Sequence, residues 1–274
     1  IGKAKTFHQA ALRNAGVVID QLGDRQLCDY STVDAGKVRD ALIDRGLSVL
    51  SVRRIFTTVK AVINLAIAEH GLDIRNAFAA IYMPEAESKK RVSILVETIR
   101  QIQRSCVEHD DDMRWLIALI SDTGMRLAEA AGLHVNDIKL DEDIPYVDIK
   151  PHPWRSLKTK GSQRQVPLVG ASLWAAQRIR ANASSCFAFP RYTDNSRCNA
   201  NSASNALNKW LHANFRKDIV IHGFRHAMRD RLRAVSCPSE MIDQIGGWSS
   251  GKVGEGYGEG FDLNHLHEWV AKLS

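Results

Sequence analysis

At 274 residues the chain lies near the length at which a single hydrophobic core stops growing, so two domains are expected. Its 45% hydrophobic and 25% charged residues are those of an ordinary globular protein. No run approaches the roughly 18 apolar residues of a membrane span, and a net charge of +6 favours a polyanionic partner.

The first part, to about Pro84, reads as helical. Phe7, Ala11, Val18 and Leu22 mark a first helix, and Val38, Leu42 and Ile43 a second. A third is predicted from about Ser48 to His70, with Ser48 or Ser51 as N-cap and Gly71 as terminator. Its apolar stripe is Val52, Ile55, Phe56, Val59, Val62, Ile63 and Ala66. Another face carries Arg53, Thr57, Lys60 and Asn64, again at helical spacing. Such a face is ordinarily a solvated helix surface; its functional reading is a helix lying on DNA phosphates. The polar stretch from Pro84 to Arg91, with three consecutive basic residues, reads as an interdomain connector.

The second part is mixed. Helices are predicted over about 94–107 and 112–122, and short strands over Asp137–Leu140, Tyr146–Ile149 and Gln165–Leu168. Helical patterns resume over about 171–181, 202–214, 223–235 and 238–245. A glycine-rich segment and an amphipathic tail with Leu263, Leu266, Trp269, Val270 and Leu273 follow. The expected class is mainly α with a small antiparallel β-sheet (α+β). Expected domains are 1–85, a linker at 86–92, and 93–274 with the tail from 261.

Four segments carry candidate chemistry. In Thr123–Leu133, Gly124 can make a tight turn that opens a helix, and Arg126 and Glu129, three apart, share its face. In Ser156–Leu168, Lys158 and Lys160 precede a Gly161–Ser162 turn and a strand, as at a β-hairpin tip. In His222–His226, His222 shares a helix face with both Arg225 and His226. That pair invites zinc, but Gly223 stands where the protease motif needs Glu, and no third ligand is apparent. Last, Trp248 is followed nine residues later by Tyr257, a tyrosine flanked by glycines. An exposed loop tyrosine has no role by default, whereas glycines also permit a segment that carries a nucleophile into place. The five cysteines are odd in number and widely spaced with no C-x-x-C pair, which suits a reducing cytosol. The chain opens at Ile1 rather than Met, which leaves room for an upstream domain.

Taken in order, these segments resemble the tyrosine recombinases, the phage-integrase family of site-specific recombinases. T-G-M-R-L-A-E-A-A-G-L is similar to the family's first-arginine segment, with Arg126 in that role and Glu129 as its supporting acid. L-K-T-K-G-S-Q-R-Q-V-P-L is similar to the hairpin of the catalytic lysine, whose K-T pattern favours Lys158 over Lys160. H-G-F-R-H supplies His222 and Arg225, and G-W-S-S with Tyr257 matches the spacing of the His/Trp position and the nucleophile. Most members have His where this chain has Trp248, whose indole N–H can donate to phosphate but cannot shuttle a proton. The motifs span about Ser93 to Gly260; the N-terminal helices fit the family's core-binding domain in kind only.

The resemblance implies cleavage and rejoining of DNA through a 3′-phosphotyrosyl link at Tyr257, without metal, ATP or other cofactor. It implies a duplex recombination site as partner, a tetramer on two synapsed DNAs, and a monomer in free solution. It further implies accessory DNA-bending proteins as partners, the cytoplasm (on the nucleoid) as the setting, and integration or excision of a phage or mobile element as the task. Two neighbouring readings share the pattern: a topoisomerase or resolvase with the same chemistry, and a DNA-binding relative without catalysis. The tail from Phe261 is open to docking in cis or on a neighbouring protomer.

Overall fold

A computed structural model describes residues 2–86, 93–248 and 260–273. The chain separates into two compact units, residues 1–90 and 91–274.

The first unit contains α1 (Gly2–Leu22), α2 (Thr32–Asp44) and α3 (Val49–His70). Ser31 caps α2: its hydroxyl accepts from the Asp34 N–H at 3.1 Å while the Asp34 carboxylate accepts from the Ser31 N–H at 3.1 Å. Of the two expected caps for α3, Ser48 is the one used, and Gly71 ends the helix in the left-handed region. Val18, Leu22, Val38, Leu42, Val52, Phe56 and Val59 are buried together with Phe78 from the segment after α3. Phe7, expected on the apolar face of α1, is 51% exposed. The buried core of this unit takes residues from the C-terminal half of α1 and so does not reach Phe7.

The second unit is built on α5 (Asp112–Thr123), which Asp111 caps by accepting from the Arg114 N–H at 3.0 Å. Residues Leu116 to Thr123 are all buried, as expected of a helix covered on every side. It lies against α4 (Val96–His109), α7 (Gly170–Ala181) and α9 (Ile221–Ala234). Burial of a single Leu or Ile contributes about 1.5–3 kcal/mol, so this helix organises the unit. Between α5 and α7 lie the short α6 (Leu127–Ala131) and a sheet of β1 (Ile138–Lys139), β2 (Tyr146–Ile149) and β3 (Arg164–Pro167), antiparallel in the order β1-β2-β3. The fold is thus mainly helical with one small antiparallel sheet. β1 is shorter than expected because residues 135–137 form a 3-10 turn, and β3 begins one residue early.

The predicted hairpin tip is broader than the sequence suggests. Residues 150–163 join β2 to β3, and Lys158 sits in a bend before a 3-10 turn at Lys160–Ser162. α8 (Ala200–Asn214), α10 (Ser239–Gly246) and α11 (Leu263–Val270) complete the described elements. The tail packs in cis: α11 lies against β3, and Leu266, Val270 and Leu273 are buried. Arg231 Nη2 donates to the Leu273 carbonyl at 2.8 Å. Among the described residues no helix is long and apolar enough to cross a membrane.

Candidate active site

The site begins where α5 stops. Gly124 ends that helix at φ 61°, and a Cβ there would lie 2.8 Å from Met228 Cγ, so both backbone and space require glycine. The turn delivers Arg126 to the position just before α6 with extended backbone. Glu129, in the first turn of α6, accepts from the Arg126 N–H at 2.9 Å and from its Nη1 at 2.6 Å. Arg126 further donates Nη1 to Ser162 Oγ at 3.1 Å and Nη2 to the Gly247 carbonyl at 3.0 Å. One side chain therefore ties α6, the β2–β3 connection and the end of α10 together.

Glu129 has a second partner that sequence reasoning missed. Arg164, buried on β3, donates Nη2 to Glu129 at 3.0 Å, Nε to the Ile245 carbonyl at 2.8 Å and Nη1 to the Ser162 carbonyl at 2.7 Å. Burial alone would raise the Glu129 carboxyl, but the pairing with Arg164 and Arg126 outweighs it and holds the group below its ordinary value. The available signal was the strand period: Arg164 alternates with exposed Gln165 and so points inward with Val166.

α9 supplies Arg225. Its Nη1 donates to the Gly124 carbonyl at 2.8 Å, while its buried Nη2 has no acceptor among the described residues. Burial, and then the neighbouring cations Arg126 and Arg164, push this guanidinium down to about 9. The same guanidinium lies 4.4 Å from the Trp248 ring centroid, and that of Arg229 lies 5.0 Å from it. Arg229 also pairs with Asp243 at 2.9 Å, and the Asp243 carbonyl accepts the Trp248 N–H at 2.9 Å. Gly246 carries the ring directly on its backbone: a Cβ there would fall 1.9 Å from it.

Arg126, Glu129, Arg225 and Trp248 are therefore brought together, with Ser162, Arg164 and Arg229 added to them. His222 is exposed one turn before Arg225, its ring 5.0 Å from that of His226, which is also exposed. Among the described residues no group of His, Cys, Asp or Glu is arranged to hold a metal ion. Lys158 is exposed, and among the described residues no hydrogen bond or ion pair fixes its side chain. Tyr257 lies outside the described residues, as does the side chain of Lys160.

In the first unit, the expected polar face of α3 meets the returning segment 76–84. Arg53 Nη2 donates to the Pro84 carbonyl at 2.8 Å and Lys60 Nζ to the Ala79 carbonyl at 3.3 Å. Asn64 accepts from Asn76 at 2.7 Å, and Thr57 bonds back to the Arg53 carbonyl at 2.8 Å. All four residues remain exposed.

The profile of the phage integrase family matches residues 88–259, more than half of the chain. No curated protein matches. Among solved structures the chain is similar to the Tn1549 transposon integrase in complex with transposon right-end DNA, at 17% identity and a TM-score of 0.66, over 99% of this chain and 93% of that one. It is similar to a lambda integrase dimer bound to a core site, at 17% identity and 0.64, over 92% and 89% of the two chains. A lambda integrase tetramer on a Holliday junction matches at 15% identity and 0.62, over 89% and 68%. With an arginine-centred site built on this fold and a family profile spanning it, the chain belongs to the phage integrase family of tyrosine recombinases.

Proposed function

We propose that this chain is a site-specific recombinase that cleaves and rejoins duplex DNA through a 3′-phosphotyrosyl intermediate at Tyr257. The observation that carries the reading is Arg225: a buried guanidinium beside Arg126, with one nitrogen lacking an acceptor among the described residues. A planar guanidinium clamps phosphate with paired donors. Two of them converging from α6 and α9 suit the nonbridging oxygens of a scissile phosphate, with Glu129 and Arg164 bracing the first.

A free tyrosine titrates near ~10 and is a poor nucleophile at neutral pH. Cations around the phosphate favour its phenolate, and His222 accepts the phenolic proton or bonds to the phosphate. The phenolate oxygen attacks phosphorus and the bond to the 5′ oxygen breaks. Lys158 gives its proton to that oxygen, a role worth about 10²–10⁴-fold. Trp248 packs the pocket. Attack by the 5′-hydroxyl of a partner strand reverses the step, and the phosphotyrosine retains the bond energy, so the chemistry consumes no ATP.

The DNA complexes of the transposon and lambda integrases support a recombination site as substrate, a tetramer on synapsed duplexes as the active form, and a mobile element as the setting. We assign residues 1–85 to core-type DNA binding and 93–274 to catalysis. In the former, Arg53, Lys60 and Asn64 contact the backbone through donors left over from the bonds to segment 76–84, and Thr57 does so by turning its one hydroxyl donor away from the Arg53 carbonyl.

The test is a suicide DNA substrate incubated with the protein in excess chelator, followed by denaturing electrophoresis. The native chain gives a covalent adduct and Tyr257→Phe gives none. An adduct with Tyr257→Phe, or one that needs a divalent metal, refutes the mechanism.

A further inference from the structure

The connection that carries Lys158 is bound to both ends of α6, the helix that places Arg126. At the C-terminal end, Trp154 Nε1 donates to the Gly132 carbonyl at 3.0 Å. Buried Arg155 reaches the same carbonyl at 3.4 Å and that of Lys150 at 2.8 Å. A Cβ on Gly132 would stand 3.0 Å from Arg155 Cγ, so the glycine lets the connection lie on the helix end. The Trp154 ring stacks on His152 at 4.5 Å and 5°, and meets Phe187 edge-on at 5.0 Å. His152 Nε2 in turn donates to buried Asp137 at 2.6 Å, and His152 and Arg155 exchange main-chain hydrogen bonds of 3.0 Å.

At the N-terminal end, Ser162 Oγ accepts from Arg126 and lies 2.9 Å from Thr159 Oγ1. α6 has five residues, a span of ~7.5 Å. Lys158 thus lies on a stretch of main chain pinned at either end of the element that sets Arg126. Its own side chain is exposed, so these anchors determine where it stands.

We propose that Trp154 is a positioning residue for Lys158, holding the base of its connection on Gly132 so that the ammonium meets the leaving oxygen. The inference rests on Lys158 acting as general acid. A displacement of about 1 Å at a reacting group can cost ~10²-fold in rate.

A leaving-group substitution separates this role from folding. A suicide substrate with sulfur in place of the scissile 5′ oxygen expels a thiolate, whose conjugate acid titrates near about 8.5, and needs no proton from lysine. Cleavage rates are measured on both substrates for the native chain, Lys158→Ala, Trp154→Ala and Trp154→Phe, with melting temperatures in parallel. Trp154→Ala is expected to slow the oxygen substrate about tenfold or more while cleaving the sulfur substrate at close to the native rate. Trp154→Phe keeps a ring but loses the donor to Gly132, and should show the same selectivity with a smaller loss; it decides the question if Trp154→Ala does not fold. Equal losses on both substrates, or none on oxygen, overturn the proposal. Lys158→Ala reports separately: if sulfur fails to rescue it, the general-acid reading falls and the inference with it, whereas rescue of Lys158→Ala alone defeats only the role of Trp154.

Discussion

Replacing Glu129 with Gln tests the electrostatic frame of the site without changing its shape. The carboxylate is almost fully buried and receives three charged or main-chain donors, from Arg126 Nη1 at 2.6 Å, the Arg126 N–H at 2.9 Å and Arg164 Nη2 at 3.0 Å. Gln can accept from one side, but its own NH2 then faces a guanidinium. Removing one partner of a buried pair costs about 3–5 kcal/mol. Arg126 is partly solvated and will recover some hydration, so the lower end, ~3 kcal/mol, applies. For a unit of this size that lowers Tm by about 6–12 °C, read by calorimetry or circular dichroism. Because the Glu129 carboxyl is held below its ordinary value of 4.5, its stabilisation is complete above that value and lost as pH falls through the lower folded value. The gap between native and variant should therefore hold from neutrality to about pH 5 and close at more acid pH. A variant melting within about 2 °C of native at neutral pH, or a gap insensitive to acid, refutes the reasoning.

Arg225→Met removes a buried cation that burial, Arg126 and Arg164 all disfavour, at the expense of a charged hydrogen bond to Gly124 worth about 1.5–3 kcal/mol and of the contact with the Trp248 ring. These terms offset one another, so its melting temperature should stay within about 5 °C of the native value while adduct formation falls ~10²-fold or more; a larger fall in Tm would make Arg225 a structural residue. Gly246→Ala places a methyl group 1.9 Å from the Trp248 ring and must displace it. A loss of about 1–3 kcal/mol in urea unfolding is expected, with slower cleavage; cleavage at the native rate would show that the Trp248 ring has no part in the reaction.

Helical spacing made much of this site legible. Arg126 and Glu129 fall three apart and do pair, and Gly124 stands at a turn, although it closes α5 rather than opening α6. Arg164 was hidden for a different reason. In sequence it is one more basic residue near a turn; the strand period puts it on the inward face with Val166, but its partner Glu129 follows only from the pairing of β3 with β2, which sets Arg164 opposite buried Ile149. The glycines read as freedom of motion flank Tyr257 and lie outside the described residues; Gly246 and Gly247, before Trp248, have another cause. Packing requires both, since added Cβ atoms would meet the Trp248 ring and, at 2.7 Å, Arg164 Nη1, and Gly247 also ends α10 in the left-handed region at φ 60°. The polar face of α3 was legible as exposed, but its bonds to segment 76–84 depend on a chain path that no local pattern encodes.

The charge left in the pocket has a size that bears on the proposed chemistry. Arg126, Arg164 and Arg225 bring three guanidiniums, and Glu129 a single carboxylate bound to two of them. Two positive charges remain uncompensated within the group, while the nearby Arg229 is offset by Asp243. A phosphodiester carries one negative charge, and the five-coordinate phosphorus formed by phenolate attack carries two. The pocket therefore matches the charge of the transition state better than that of bound DNA, which is the condition for binding energy to appear as rate rather than affinity. Glu129 does not weaken this arrangement by neutralising a cation. Without it, three mutually repelling guanidiniums would have to be held by hydrogen bonds alone, and Arg126 would lose the partner that fixes its direction.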